Sequence, residues 1–406
     1  MKFSVLIPTR NRLELLSFAI DTVKRQDYDD WEVIVSDNQS EEDVGAYIAS
    51  LGDPRIRYFR TDRFVAVTDN WNNTLVKSIG DYVIMLGDDD CLMKGYFSTL
   101  SRIIRDYDAP DLIYTSAYLY AYPGVMPGSP EGFLQCYSYK ALFNRSQNPF
   151  FLDRHTAMAL FNHSLNFRMQ FDYNMQFSLV SRRLIRSLTQ YGPFYQSPYP
   201  DYYASNAMML KAERILVVPK PLVTIGISSK SFGFFYFNDR EQTGNEFLNN
   251  TSDPHVARKL EQVILPGVEM NTSWLLSMEA LRTNFTREMD IRVNYRRYRF
   301  LQICATYTRL LAREPGAATA VRNLRRKLSL RERITFDVPL SLVAFLFLFV
   351  PSHYRARLAS SLMFMVAASH PRFTSPKLIG PCKTILDVFE HIDPAQDFSE
   401  QPGLIR

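Results

Sequence analysis

Hydrophobic residues in the first 116 positions of the chain alternate between two spacings. Short apolar runs typical of β-strands occupy 3–7, 32–36, 56–59, 82–86 and 112–115. Between the first two runs, apolar side chains repeat at intervals of three and four residues, which places them on one face of a helix. These side chains are Leu13, Leu16, Ile20 and Val23. Two further helices are predicted around 42–51 and 69–79, the second one ending at Gly80.

The same alternation continues later in the chain. A strand and a helix are predicted over 176–188, a helix over 202–211 and a strand over 215–224, which Pro219 and Pro221 interrupt. Strands that alternate with helices form a mostly parallel sheet with helices on both faces. The sequence therefore predicts an α/β fold, and in such folds ligands bind beyond the carboxyl ends of the strands.

The composition is that of an ordinary globular protein. Of 406 residues, 46% are apolar and 22% are charged, which excludes a mainly disordered or fibrous chain. The formal net charge is +5, from 47 Lys and Arg against 42 Asp and Glu. The four cysteines lie far apart and form no CxxC pair. We therefore expect neither a disulfide framework nor a structural zinc site, and a reducing compartment is favoured.

Polar and charged residues follow the predicted strands. They are PTRNR at 8–12, DNQS at 37–40, RTDR at 60–63 and GDDD at 87–90. Solvated loops alone explain any one of these segments. The three adjacent acids Asp88, Asp89 and Asp90 are less easily explained in this way, because they repel each other unless a cation neutralises them.

Five segments, in order and at suitable distances, resemble a known family. They are SVLIPTRNR at 4–12, EVIVSDNQS at 32–40, NWNNTL at 70–75, GDYVIMLGDDD at 80–90 and PDYY at 200–203. Together they make the region 2–230 similar to the inverting glycosyltransferases of family 2. The resemblance implies the GT-A fold, a Rossmann-like α/β arrangement, and an enzyme that uses a nucleotide diphosphate sugar.

In this family, carboxylates behind the fourth strand hold a divalent cation, Mn²⁺ or Mg²⁺, which neutralises charge on the departing nucleotide diphosphate. The resemblance assigns the cation to Asp89 and Asp90 and turns Asp88 towards the ribose. Gly87 stands where the family pattern has its first acid. Ser228 lies near the place from which many relatives supply a histidine ligand. These two departures leave the third protein ligand open.

The resemblance also indicates a nucleotide pocket. Besides Asp88, the residues assigned to it are Pro8, Thr9, Arg10, Arg12, Asp37 and Asn70. Asp37 corresponds to the carboxylate that accepts the imide N–H of uracil, which makes UDP the expected nucleotide, and a turn or helix-cap role is the alternative. Arg12 would reach a phosphate or remain solvated at the start of a helix. Asn70 would line the pocket or simply cap and face its helix.

Asp201 is the expected catalytic base. Inversion requires one direct displacement, in which the acceptor hydroxyl attacks opposite the leaving nucleotide. A carboxylate within hydrogen-bonding reach of that hydroxyl removes its proton. By resemblance Asp201 occupies this place, at the head of the helix predicted over 202–211. The alternative is a helix N-cap without a chemical role.

The last third of the chain is basic and then apolar. Between Arg282 and Arg333 there are 14 Lys and Arg against 4 Asp and Glu. Two apolar stretches follow at 340–350 and 358–368, both too short to span a bilayer. This pattern is typical of an element that lies on an anionic membrane surface. The alternative is a helical appendage whose apolar runs pack on the catalytic domain or on a second subunit.

These observations define one hypothesis. We expect a GT-A catalytic domain at 1–250 and a helical appendage at 251–406, in a cytoplasmic protein that either is soluble or binds the cytoplasmic face of the membrane. The expected reaction transfers a sugar from a UDP-sugar to a glycan or glycolipid hydroxyl in envelope polysaccharide assembly. A sugar-phosphate nucleotidyltransferase and a degenerate binding module are the alternatives. A homo-oligomer is left open, and no nucleic acid partner is expected because no recognition motif is present.

Overall fold

The structure is a computed structural model of the chain. It describes residues 1–126, 129–138, 140–143, 146–237, 241–248, 258–351, 354–355, 358–359, 361, 372–373 and 382–393. The predicted boundary near 249–254 and most of the apolar stretch 358–368 lie outside these residues.

Eleven strands of the described residues form one sheet. They are β1 Phe3–Thr9, β2 Trp31–Asp37, β3 Ile56–Arg60, β4 Tyr82–Met85, β5 Cys91–Leu92, β6 Leu112–Ala121, β7 Phe133–Ser138, β8 Phe150–Leu152, β9 Ser178–Ser181, β10 Ile215–Ile227 and β11 Arg372–Phe373. The order along the sheet is β11-β7-β6-β9-β4-β1-β2-β3, and β10 pairs with β5, β6 and β8.

The helices of the described residues flank this sheet and extend the chain beyond it. They are α1 Leu13–Lys24, α2 Val44–Ser50, α3 Val67–Lys77, α4 Tyr96–Asp106, α5 Lys140–Phe143, α6 Arg154–Leu165, α7 Arg182–Leu188, α8 Pro200–Lys211, α9 Phe232–Phe237, α10 Glu241–Leu248, α11 Glu269–Phe285, α12 Tyr295–Ala312, α13 Ala317–Lys327, α14 Leu330–Glu332, α15 Val338–Leu346 and α16 Ile385–His391.

The predicted α/β fold is confirmed, with one refinement of the sheet. Strands β3, β2, β1 and β4 are parallel, as expected. Strand β9 then runs antiparallel between β4 and β6, so the sheet is mixed on that side. The apolar residues of β1 and β2 are buried along their whole length, which explains their near-continuous hydrophobic sequence.

Two predicted elements have different limits in the structure. Strand β10 continues to Ile227 and pairs in parallel with β6, with register shifts at Pro221, since proline has no N–H for the ladder. Helix α3 ends at Lys77 instead of continuing to Gly80. The Glu32 carboxylate accepts a hydrogen bond from the backbone N–H of Ile79 at 2.6 Å, which holds the chain in its non-helical path.

The C-terminal helices build on the same core. Trp274 and Leu275 of α11 belong to the hydrophobic cluster that also contains Val5 and Ile84 of the central strands. Helices α12 and α13 contribute to a smaller hydrophobic cluster of their own. The division of the chain at residue 250 stays a prediction. Among the described helices, we find none with the length and apolar character needed to cross a bilayer.

Candidate active site

A cavity of about 470 Å³ opens at the carboxyl ends of β1, β4 and β10. The residues predicted to contact the nucleotide, the cation or the acceptor line this cavity, with the exception of Asp37. They are Pro8, Thr9, Arg10, Arg12, Asn70, Asp88, Asp89, Asp90 and Asp201. Because β1 pairs in parallel with β2 and β4, the segments that follow these strands emerge at one edge of the sheet.

Asp88 is held by the last residue of β1 and by the loop that follows this strand. Thr9 Oγ1 donates a hydrogen bond to Asp88 Oδ2 at 2.7 Å, and Arg12 Nη1 pairs with Asp88 Oδ1 at 2.7 Å. The Arg12 guanidinium also donates to the carbonyl of Lys230. Burial alone would lower the pKa of Arg12, but the charges of Asp88 and Asp89 raise it. Arg12 is thus a fixed positive charge at the cavity, suited to a phosphate group.

Residues 87–90 form a turn after β4, closed by the bond from the Asp90 N–H to the Gly87 carbonyl, and we call it the acidic turn. Asp90 fixes this turn to the rest of the fold. Its Oδ1 accepts a hydrogen bond from the Gly226 N–H at 2.9 Å, and its Oδ2 accepts one from the Gly87 N–H at 2.8 Å. The Gln176 side-chain amide also donates to Oδ2. Strand β10 approaches the turn so closely that a Cβ on Gly226 would lie 1.9 Å from the carbonyl oxygen of Asp89. Residue 226 therefore has to be glycine for the turn to keep its position.

Asp89 lies beside Ser228, whose Oγ donates to Asp89 Oδ2 at 2.8 Å. Burial and the charge of Asp88 raise the pKa of Asp89, against the opposing effect of Arg12. Burial, and then the charge of Asp89, raise the pKa of Asp90 to about 8. Crowded buried carboxyl groups of this kind are stabilised in their charged form by a cation.

The donor atoms at this turn suit a hard divalent cation, because Mg²⁺ and Mn²⁺ prefer carboxylate and other oxygen ligands. Within the described residues, no group of three or more Asp, Glu, His and Cys side chains is arranged to hold a metal. Asp89, with Ser228 beside it, would hold such a cation, and a cation there would neutralise the adjacent carboxylates. The predicted contact of Asp90 with the cation stays a prediction.

Asp37 does not line the cavity. It is fully buried, and its carboxylate accepts hydrogen bonds from the Ser40 N–H at 2.8 Å and from the Tyr58 hydroxyl at 2.9 Å. The bond to Ser40 is the local turn contact expected of its alternative role. The adjacent Asn38 lines the cavity instead. Recognition of uracil by Asp37 stays a prediction.

The loop between β3 and α3 contacts two residues that line the cavity, Asn38 and Arg10. The Asn38 amide bonds both to the carbonyl and to the N–H of Val65, at 2.8 and 2.9 Å. Arg10 lies over the ring of Phe64, with 4.0 Å between the guanidinium carbon and the ring centroid. Asn70 bonds to Ser36 of β2 through both ends of its amide, so it joins α3 to the sheet as well as lining the cavity.

Asp201 lies in the first turn of α8, directly after Pro200, which begins the helix. Its Oδ1 accepts a hydrogen bond from the Tyr202 N–H at 3.0 Å. Burial, and then the charge of Asp172, raise the pKa of Asp201 to about 7. A carboxyl group with a pKa near neutrality is well suited to accept a proton from a hydroxyl group.

Asp172 was not identified from the sequence. It lines the same cavity as Asp201. Its Oδ1 accepts a hydrogen bond from the Asn174 N–H at 2.8 Å, and the Tyr137 hydroxyl also bonds to its carboxylate. Burial raises the pKa of Asp172. The sequence feature that could have indicated this residue is an acid between two aromatic residues, Phe171 and Tyr173.

Large apolar side chains complete the cavity wall. Trp71, Tyr137, Phe232 and Met270 line it, and the sequence analysis assigned none of them to the site. Met270 belongs to α11, beyond the predicted domain boundary. Aromatic and apolar walls with a few converging polar groups are typical of small-molecule sites.

Comparison with known proteins identifies the N-terminal region. Residues 4–167 match the family model "Glycosyl transferase family 2". A curated relative, the GalNAc(5)-diNAcBac-PP-undecaprenol beta-1,3-glucosyltransferase of Campylobacter jejuni, is 41% identical over 104 residues, which are 25% of this chain and 34% of that protein. The putative colanic acid biosynthesis glycosyl transferase WcaA of Escherichia coli is 29% identical over 150 residues, 35% of this chain and 53% of that protein.

The matched segments thus span about a third and about half of these relatives. Among solved structures, S. aureus TarS 1–349 in complex with UDP-GlcNAc aligns with 80% of this chain and 90% of that chain, at 15% identity and a TM-score of 0.41. The family match and the observed α/β architecture confirm the predicted GT-A fold class, and residues 4–167 are similar in sequence to glycosyl transferase family 2.

Proposed function

We propose that this protein is an inverting glycosyltransferase. It moves one sugar from a nucleoside diphosphate sugar, with UDP as the expected nucleotide, to a hydroxyl group of a glycan or lipid-linked glycan. The observation that carries the proposal is that Asp201 lines the same cavity as Arg12, Asp88 and Asp89. A base for the acceptor and charged groups for the diphosphate therefore occur in one site.

The names of the relatives support the acceptor class. One is named for transfer to an undecaprenol-linked glycan, and another for colanic acid biosynthesis. Both names describe sugar polymers or their lipid-linked precursors. We extend this class to the present chain, with residues 1–250 as the catalytic domain and 251–406 as its helical appendage.

Arg12 and Arg10 are the residues that bind the diphosphate in this proposal. Arg12 is held by Asp88 and by the carbonyl of Lys230, so its guanidinium is already oriented before the donor arrives. Arg10 is positioned by its contact with Phe64. Positive groups that are fixed in advance stabilise the charge that develops on a leaving group without reorganising during the reaction.

Asp89 is the proposed protein ligand of a divalent cation, and Asp90 is the residue that fixes the turn. When bound, the cation supplies Lewis-acid stabilisation of the leaving diphosphate. Because Asp90 already accepts hydrogen bonds on both oxygens, Asp89 is better placed to offer an oxygen atom. Ser228 orients Asp89 through its hydroxyl.

Asp201 accepts the proton of the acceptor hydroxyl as that oxygen attacks the anomeric carbon. The N-terminal end of α8 and the Tyr202 N–H favour the ionised carboxylate, while burial and Asp172 oppose it. The balance leaves a group that exchanges protons near neutral pH. General bases of this type contribute about 10²–10⁴-fold in rate.

A screen of nucleotide sugars tests the proposal. We expect UDP and a UDP-sugar to raise the melting temperature in the presence of Mn²⁺, because a ligand that binds the native state stabilises it. Replacing Mn²⁺ by EDTA should weaken UDP binding in calorimetry. Equal UDP affinity with Mn²⁺ and with EDTA would show that the cation role is wrong. Release of pyrophosphate from a nucleoside triphosphate and a sugar phosphate would instead indicate a nucleotidyltransferase.

A further inference from the structure

The outward face of the helical run from 330 to 349 is apolar and exposed. The helical run consists of α14, a π-helical turn at Arg333–Asp337, α15 and a 3₁₀ turn at Phe347–Phe349. On the outward face of this run, seven large hydrophobic side chains are between 55% and 76% exposed, and together we call them the apolar stripe. They are Leu330, Ile334, Val338, Leu342, Phe345, Leu346 and Phe349. Apart from the adjacent pair Phe345 and Leu346, they recur every three or four residues, the spacing of one helical face.

Exposed large hydrophobic side chains are concentrated in the segment 330–358 of the described chain. Outside 330–358, the large hydrophobic residues exposed in the described chain are Val76, Ile79 and Phe151. Scattered residues of this kind are ordinary on protein surfaces, whereas a contiguous apolar patch marks an interaction site. The apolar stripe therefore requires a partner.

The opposite face of the same helical run is fixed to the protein. Phe336, Leu340 and Ala344 pack against the cluster formed by α12 and α13. Asp337 is buried there, and its Oδ1 pairs with Arg325 Nε at 2.9 Å. Because one face is attached along its length, the run lies along the protein surface and presents the apolar stripe outward.

The exposed charges around the apolar stripe are positive. Exposed basic residues on and next to the helical run are Arg322, Arg326, Lys327, Arg331 and Arg333. The two acids between 316 and 361 are Glu332 and Asp337. Glu332 pairs with Arg299 at 2.6 Å, and Asp337 is buried with Arg325. Neither acid offsets the exposed cations.

We propose that the apolar stripe and these basic residues form a docking surface for an anionic lipid bilayer. Apolar side chains enter the boundary of the acyl chains while Lys and Arg contact the phosphate head groups. A second copy of the chain is a poorer partner, because a two-fold contact would bring the same cationic surfaces together. Delivery of the catalytic cavity to a lipid-linked acceptor rests on the proposed function, whereas the docking surface itself does not.

Flotation of the full chain with lipid vesicles tests this docking surface without any assay of sugar transfer. We expect binding to vesicles of equal parts phosphatidylglycerol and phosphatidylcholine, weaker binding to pure phosphatidylcholine, and loss of binding as salt screens the head groups. The double variant Leu342→Glu, Phe345→Glu should bind the anionic vesicles at least about tenfold more weakly, since it places charge in the acyl boundary.

The matched control is Val76→Glu, Ile79→Glu, which makes the same change at exposed apolar residues elsewhere (79% and 67% exposed). It should bind like the unaltered chain. A second double variant, Arg326→Glu, Lys327→Glu, should lose binding to anionic vesicles while its thermal melting is unchanged. Binding at the wild-type level by both Leu342→Glu, Phe345→Glu and Arg326→Glu, Lys327→Glu would overturn the proposal. So would a dimer in light scattering that Leu342→Glu, Phe345→Glu dissociates, because a second copy would then be the partner.

Discussion

Asp172 and Asp201 face one cavity from different parts of the chain, and the charge of Asp172 contributes to raising the pKa of Asp201 to about 7. Asp201 lies in the first turn of α8, whereas Asp172 lies in the segment before β9 and is held by Tyr137 and Asn174. The pair places a carboxyl group that titrates near neutrality where an acceptor hydroxyl would bind. Burial is the larger cause of the raised pKa of Asp201, and Asp172 adds to it as a positioning residue.

This relationship predicts how activity depends on pH. A base has to be ionised, so the rate should rise as pH increases through about 7, the pKa of Asp201. Asp172→Asn removes a negative charge that disfavours ionisation of Asp201. The pKa of Asp201 should then fall, and the acidic limb of the profile should move to lower pH by roughly half a unit to one unit. Asp29→Asn, at a fully exposed acid, should leave the profile unchanged, and a shift of equal size in that control would contradict this account.

Ionisation of Asp201 should also work against folding. Its pKa in the folded protein lies above its ordinary value, so this group stabilises the fold most at low pH, and the stabilisation is lost as pH rises through about 7. Asp201→Asn removes the buried charge. We expect the variant to raise the melting temperature at pH 8 and to change it less at pH 5. Calorimetry at both pH values checks this, and a lower melting temperature of the variant at pH 8 would contradict it.

Asp89 and Asp90 should behave differently when each is changed to Asn. Asp90 accepts hydrogen bonds from three donors, on Gly226, Gly87 and Gln176. An asparagine keeps one acceptor oxygen, so its NH₂ group would face at least one of these donors and leave it unsatisfied. Asp90→Asn should therefore cost about 1–3 kcal/mol of unfolding free energy. Asp89→Asn should leave stability nearly unchanged, since the Ser228 hydroxyl can turn to suit an amide. It should abolish the effect of Mn²⁺ on UDP affinity, measured by calorimetry with and without EDTA.

The account would be contradicted if Asp89→Asn unfolded the protein and Asp90→Asn instead abolished the effect of Mn²⁺ on UDP affinity. Asp90 would then be the cation ligand, and Asp89 the residue that fixes the turn.

Gly226 should be irreplaceable even by alanine. A Cβ there would meet the Asp89 carbonyl at 1.9 Å, so β10 or the acidic turn would have to move. We expect Gly226→Ala to cost about 1–3 kcal/mol in urea unfolding and to lose UDP binding. Gly233→Ala is the control for stability, because its nearest neighbours would lie at 3.7 Å, an ordinary contact. Equal stability of the two variants would show that the close approach is unimportant.

The sheet could be predicted from the sequence because its strands are short apolar runs and α1 has a clear helical spacing. The acidic turn could also be located from the sequence, because it follows the apolar run of β4. The antiparallel placement of β9 could not be predicted, because its four residues give no sign of their partners. Asp201 was found through the family resemblance, whereas spacing alone favoured a helix cap.

Asp172 was missed because its place depends on tertiary contacts. The Tyr114 hydroxyl of β6 bonds both to the N–H and to the carbonyl of Asp172, at 2.9 and 3.0 Å. These bonds join positions 58 residues apart, and no local pattern indicates them. Asp37 shows the opposite case, in which a motif residue is present but the structure directs its carboxylate to Ser40 and Tyr58.

The most direct test of the account compares the unaltered protein with Asp201→Asn in two measurements, UDP affinity in Mn²⁺ and the rate of sugar transfer from the donor found in the screen. We predict unchanged UDP affinity and a loss of about 10²–10⁴-fold in the rate of transfer. Transfer by Asp201→Asn at the unaltered rate would contradict the account, as would a loss of UDP binding in parallel with transfer.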